Sequence, residues 1–521
     1  MDKDQNRVPL IEALDRFIET EPALFCIPGH RSEKGVPEEL LERFGEYIFR
    51  YDLTEAPGLD DLHDAQGAIR EAEELLAGLF GADRSWFIVN GTTAAAEAMI
   101  MAAAGPGEEI IIARNIHKSA LSGLVISGAV PVWLECEYDD EWHIAGGITA
   151  ASVEKKIQEH PGAKAVYLVS PTYYGVNSDL KAIAEVCHRY GIPLLVDAAH
   201  GSHFRFSELF PEDAVSAGAD LCAMSFHKTA GAMTQASVLH YRALRETVPA
   251  NAGGQPDDGG AEDASPEEMT AGDETAGCGK KEIKRDLTDI GKLEAALKIT
   301  QSSSPSYILM ASLDAARKQL AMNGRQLAEK AAGLAYDLRR ALEQTPGVKV
   351  FGGSDAGELL SSGLDPARVV FRADGIDGIT LKERLFEDGQ SVLEMADAQN
   401  AVAVITAGNT SEDILKLSMA VWSALSGAEA ESGRHGADFS RIPEAVLTPR
   451  EAFFAPKEKI ALREAEGRIC GSYICPYPPG TPAVIPGEVI SGEIMDIIEF
   501  CRACNIPMHG IGNDGIIEVI R

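Results

Sequence analysis

Between Gly67 and His240 the chain alternates short apolar runs with amphipathic segments of helical period. The runs are "SWFIVNG" (85–91), "EEIIIAR" (108–114), "AKAVYLVSPTYYG" (163–175), "IPLLVDAAHGSH" (192–203) and "DLCAMSFHK" (220–228). The intervening segments "TTAAAEAMIMAAAG", "NIHKSALSGLVISG" and "DLKAIAEVCHRYG" repeat their apolar residues at the spacing of a helix face. Runs this short and this evenly apolar, each followed by turn residues, predict strands of a mainly parallel sheet buried on both faces. The fold class is therefore an open α/β sheet, which takes its ligands beyond the carboxyl ends of the strands.

Two regions depart from that alternation. Residues 249–282, with "GGQPDDGGAEDASPEEMTAGDETAG" at their centre, carry no aromatic and little apolar surface, so burial cannot offset their ordering entropy. They read as a disordered, acidic surface insertion. Farther on, "SLDAARKQLAMNGRQLAEKAAGLAYDLRRALEQ" (312–344) predicts a long amphipathic helix, after which a second α/β unit begins near Val348. The predicted organisation is an N-terminal segment (1–70), a large domain (71–345) and a smaller C-terminal α/β domain (346–521).

The chain of 521 residues carries 80 acidic against 47 basic side chains, a formal charge of -33. Such a surface repels polyanions and attracts small cations, so nucleic acid is not an expected partner. The N-terminus lacks the pattern of a signal peptide and no apolar run is long enough to span a membrane, which predicts a cytoplasmic protein. The nine cysteines form no disulfide framework. Cys501 and Cys504 make a CxxC, but it falls within the helical pattern "GEIMDIIEFCRAC" and reads as packing, so no metal site is expected.

The chemistry gathers at the strand ends. Lys228 closes "SFHK" at the end of a buried strand, where desolvation favours a neutral, nucleophilic amine suited to a Schiff base. Asp197 in "LLVDAAH" likewise follows an apolar run, and a carboxylate there needs a cationic partner. The pyridinium nitrogen of pyridoxal phosphate is such a cation, and a lysine paired with an acid is the pattern that cofactor requires. "NGTTAAAEAMI" places Gly91, Thr92 and Thr93 at a helix start directly after a strand, where free amides and hydroxyls suit a phosphate. Ser225 and His227 flank Lys228 and can add donors. His117 could stack on a flat ring, and His200, three residues after Asp197, is a further cofactor-binding candidate.

Taken in order, "IPGHRSEKG", "DLTEAPGLDDLHDAQGAI", "RNIHKSA", "SPTYYGV", "VDAAHGSH", "SFHKTAGAMTQASVLH", "QSSSPSYILMASLDAAR" and "YPPGTPAVIPGE" resemble the Orn/Lys/Arg decarboxylase family. The resemblance covers the chain except for the acidic insertion. With no receiver-like domain ahead of "PGH", it is closer to the short, biosynthetic-type arginine decarboxylases. It implies the fold-type-I, aspartate aminotransferase-like architecture, with Lys228 holding pyridoxal phosphate, Asp197 bonding the ring nitrogen and His117 stacking on the ring. Gly91, Thr92, Thr93, Ser225 and His227 would hold the phosphate. It also implies a homodimer or larger homo-oligomer with shared sites, in which Ser303 of "SSSPSY" reaches the neighbour's phosphate. Glu488 in "PGE" would receive the distal cation of a small basic amino acid, with Glu394 in "SVLEMAD" as a second acidic candidate. The implied reaction is decarboxylation, most readily of arginine to agmatine, with lysine or ornithine as alternative substrates. An aminotransferase, an aldol-type lyase and a non-catalytic cofactor-binding regulator are the rival readings.

Overall fold

The computed structural model describes residues 4–249, 280–352, 363–425, 441–477 and 480–521. One large sheet contains β1 (Arg84–Ile88), β2 (Glu109–Ala113), β3 (Val130–Leu134), β4 (Val166–Val169), β5 (Leu194–Asp197), β6 (Leu221–Met224) and β7 (Ser237–Tyr241). Its spatial order is β1-β7-β6-β5-β4-β2-β3. Strands β3, β2, β4, β5 and β6 run parallel, whereas β7 is antiparallel to both of its neighbours. Because β1 and β6 both oppose β7, they run in the same direction, and all the strands except β7 deliver their carboxyl ends to one edge.

The five apolar runs are β1, β2, β4, β5 and β6. Strands β3 and β7 were not expected. In β7 the apolar run is interrupted by Ser237 and His240, yet both are buried with a hydroxyl partner: Ser237 bonds Thr92, and His240 bonds Ser85 through Nδ1 while its Nε2 has no partner among the described residues. The two faces of the sheet feed separate cores. Ile111 belongs to one, while Ile110 and Ile112 belong to the other, which is why the runs show no polar alternation. Helices α1 (Gly91–Ala103) and α2 (Lys118–Ser127) cover the second face, and the N-terminal part of α3 (Tyr307–Glu343) the first.

The far end of α3 contributes Leu334, Leu338 and Leu342 to a third core, over β8 (Val348–Val350), β9 (Arg368–Ala373), β10 (Met395–Ala396) and β11 (Ala401–Val404). This second sheet is wholly antiparallel, in the order β8-β9-β11-β10. Residues after 441 build a further core that includes Val484, Ile498 and Cys501. Cys501 lies on α4 (Gly492–Ala503) and is fully buried, and among the described residues no three His, Cys, Asp or Glu side chains cluster for a metal ion. Strands Leu244–Pro249 and Lys280–Arg285 pair antiparallel, with Pro249 opposite Lys280. The disorder expected of 249–282 is overturned at its two ends, Pro249 and residues 280–282, which lie in these strands, and residues 250–279 lie outside the described residues. Among the described residues no helix is long and apolar enough to cross a membrane.

Candidate active site

The parallel pairing of β5 with β6 sets Asp197 opposite Ala223, so the turn after β6 brings Lys228 to the edge where β5 ends. Asp197 is 4% exposed. Among the described residues its oxygens accept the Ala199 N–H at 3.1 Å and a long bond from the Tyr167 hydroxyl at 3.5 Å. Burial pushes its pKa up, and the charge of Lys228 works against that. Burial also holds Lys228 below the ordinary lysine value, against the pull of Asp197. A buried acid with two weak donors is built to receive a cationic N–H, and the neighbouring amine is biased toward its neutral form.

Where β1 runs into α1, Gly91 has φ +74°, a conformation glycine adopts without strain. No side chain caps this helix, so its first amides are free for an anion. The Thr92 hydroxyl lies 2.5 Å from that of Ser225 and 2.9 Å from that of Ser237. Thr93 is exposed. His227 donates from Nδ1 to the Ala236 carbonyl at 3.0 Å, leaving Nε2 unengaged by that bond. Ser303 is exposed, and the N–H of its neighbour Ser302 donates to Asn90 Oδ1 of the same chain at 3.1 Å. The serine turn is thus anchored beside this chain's own α1.

His117 caps α2, its Nδ1 accepting the Ser119 N–H at 3.3 Å. Burial, then the charges of Lys228 and Lys118, push its pKa down to about 4, so the ring is neutral at physiological pH. His200 approaches Lys228 directly, with Nε2 2.9 Å from Nζ. Its other nitrogen, Nδ1, accepts a 2.6 Å hydrogen bond from Arg368.

The expectation for Glu488 needs correction. It is 1% exposed and grips Arg114 with both oxygens, at 2.9 and 3.0 Å, while the Ile485 N–H adds a bond at 2.9 Å. A carboxylate this buried must be paired within the fold, and Arg114 is that partner. Glu394 is exposed and lies against the Tyr173 hydroxyl, close enough to act on the charge of Lys228. Of the two acidic candidates, Glu394 is the one whose charge reaches Lys228.

Sequence reasoning missed Tyr173 and Arg368. Tyr173 holds its ring 5.6 Å from Lys228 Nζ and edge-on to His200; its motif "SPTYYGV" was visible, but nothing marked that tyrosine. Arg368 lies far along the chain with no local motif. A cavity of about 480 Å³ adjoins Lys228 and His227, walled by α3 and by residues 405–408. A smaller one of about 70 Å³ touches His117, Tyr173 and Thr481.

An amine, an underpartnered buried acid and a hydroxyl-lined helix start at one edge of an α/β sheet define a fold-type-I pyridoxal phosphate enzyme. Residues 8–252 match the Orn/Lys/Arg decarboxylase major domain and residues 434–511 the C-terminal domain of that family. The arginine decarboxylase of Bacillus subtilis is 35% identical over 99% of this chain and 98% of its own length. That of Bacillus anthracis is 33% identical over 97% and 95%. The crystal structure of the Francisella novicida lysine decarboxylase superposes with a TM-score of 0.79, at 20% identity over 99% of this chain and 82% of that one. The chain belongs to the Orn/Lys/Arg decarboxylase family. It is an amino-acid decarboxylase, and its cofactor is pyridoxal phosphate.

Proposed function

We propose that this enzyme removes the α-carboxylate of arginine as CO2 and releases agmatine. Full-length identity of 33–35% to Bacillus chains named arginine decarboxylase carries the choice of substrate. The bound cofactor supplies a conjugated ring that accepts the electron pair left at Cα. Lys228 holds it through its amine, and Asp197 keeps the ring nitrogen protonated, a charge that also relieves the burial of the acid. Gly91, Thr92, Thr93, Ser225 and His227 would hold the phosphate; Ser303, expected to reach a neighbouring copy, instead sits in a turn anchored at this same helix start. Neutral His117 would stack on the ring, and His200 supports Lys228 from 2.9 Å. Glu394 receives the guanidinium of arginine. The proton returned to Cα would come from Lys228 or another nearby acid, since His117, pushed down to about 4, carries no imidazolium proton at neutral pH.

The same reading takes residues 1–70 as the segment that meets a second copy, 71–345 as the cofactor domain and 346–521 as the smaller domain. The exposure of Phe25 (92%), Phe44 (61%) and Tyr47 (69%) supports a homodimer joined through the first of these. A cytoplasmic setting fits the free cysteines.

The test supplies the protein and pyridoxal phosphate with arginine, lysine or ornithine in separate reactions, and measures CO2 and amine. Agmatine from arginine, absent with Lys228→Ala, is expected. Cadaverine or putrescine instead would retain the chemistry and overturn the substrate, while bound cofactor without CO2 would overturn the reaction.

A further inference from the structure

Arg368 opens β9 with its side chain wholly buried. Its Nη2 donates to His200 Nδ1 at 2.6 Å, while Nε and Nη1 have no hydrogen-bond partner among the described residues. The backbone of Gly175 presses on it so closely that a Cβ there would lie 2.7 Å from Arg368 Cβ. The guanidinium is thus held in one place by packing, and what it holds in turn is the imidazole.

A guanidinium can only donate. Nδ1 of His200 must therefore be the acceptor, and the one proton of the neutral ring sits on Nε2. That proton faces Lys228 Nζ at 2.9 Å, and a donor facing an amine requires the amine to offer its lone pair. An ammonium at Lys228 would need the same nitrogen to accept, which the tautomer forbids. Two carboxylates facing the lysine, Asp197 at the end of β5 and Glu394 ahead of β10, favour the ammonium. His117, at the start of α2, disfavours it only when protonated, and His227 adjoins the lysine on its own turn. Against that acidic pair stand burial and the charge of the arginine, with the Nε2–H of His200 facing the amine.

We propose that Arg368 is a positioning residue for this reaction: by donating to Nδ1 it fixes His200 as the Nε2–H tautomer, which keeps Lys228 a free amine. The proposal rests on the reading of Lys228 as the lysine that holds the cofactor. Burial of Lys228 and the charge of Arg368 lower the lysine's affinity for a proton, in the same direction. Burial, with Lys228 and Arg368 beside it, keeps His200 itself from charging.

The test measures the rate at which cofactor-free enzyme takes up pyridoxal phosphate, by visible absorbance, from about pH 6 to pH 10. Arg368→Met and His200→Phe are each expected to move the half-maximal rate up by about one pH unit or more, with Arg368→Lys closer to wild type. A His200→Phe profile equal to wild type would mean that Arg368 acts by charge alone and would overturn the relay, as would an unshifted Arg368→Met. Uptake by Lys228→Ala as fast as by wild type would instead overturn the assignment of the lysine. Should the variants fail to fold, 15N-histidine NMR of the unsubstituted chain decides: His200 is expected with Nδ1 unprotonated, and a proton on Nδ1 overturns the proposal.

Discussion

Arg114 and Glu488 meet as a forked, doubly hydrogen-bonded pair in which each side chain is 1% exposed. Arg114 follows the last residue of β2, its guanidinium lies over the Trp133 ring and it also bonds the Ala483 carbonyl. The pair therefore ties the carboxyl edge of the large sheet to the C-terminal core. Both ions have left water, so each depends on the other.

Glu488→Gln is accordingly expected to destabilise the holoenzyme by about 3 kcal/mol, because it strands a buried guanidinium. Denaturant titration at neutral pH measures this. A raised KM for arginine with unchanged stability would instead show that Glu488 meets the substrate.

Glu394→Gln is expected to raise KM for arginine about tenfold, the equivalent of ~1.4 kcal/mol, and to change kcat less. Steady-state kinetics on the loaded enzyme checks this, and stability should hold because the side chain is exposed.

His240 is buried against Phe80, its Nδ1 bonded to Ser85, and burial pushes its pKa from 6.5 down to about 3. Its folded pKa lies below the unfolded one, so the unfolded chain takes up the proton first as pH falls. Stability is full above about pH 6.5 and declines as pH drops toward 3. His117, pushed to about 4, adds in the same sense. His240→Phe is expected to flatten this acid slope in unfolding measured between pH 7 and 4, and an unchanged slope would assign it to other groups.

The paired strands Leu244–Pro249 and Lys280–Arg285 bring the two ends of the acidic segment together. Replacing residues 250–279 with an Asn-Gly turn is expected to leave decarboxylation within a few-fold of wild type, since a hairpin loop of two residues suits such a pair. A large loss of CO2 release would give the segment a role at the site.

The strands that carry the chemistry were legible because a strand buried on both faces is a bare apolar run, and β5 and β6 announce themselves through "LLVD" and "LCAM". Strand β7 was not, because Ser237 and His240 are buried only by virtue of partners contributed by α1 and β1. The two acidic candidates could not be told apart for a related reason. In sequence, Glu488 and Glu394 are both carboxylates in loops, and only the arrival of Arg114 separates a buried, ion-paired acid from an exposed one.

The sequence by itself determined five of the seven strands and set Lys228, Asp197 and the helix start at Gly91, Thr92 and Thr93 beyond or at their ends, because each depends on its own local run of residues. Tertiary structure decided which acid is ion-paired within the fold, that Tyr173 faces Lys228, and that Arg368 reaches His200. Those are pairings between elements distant along the chain, and whether a buried charge is paired depends on what the fold places beside it.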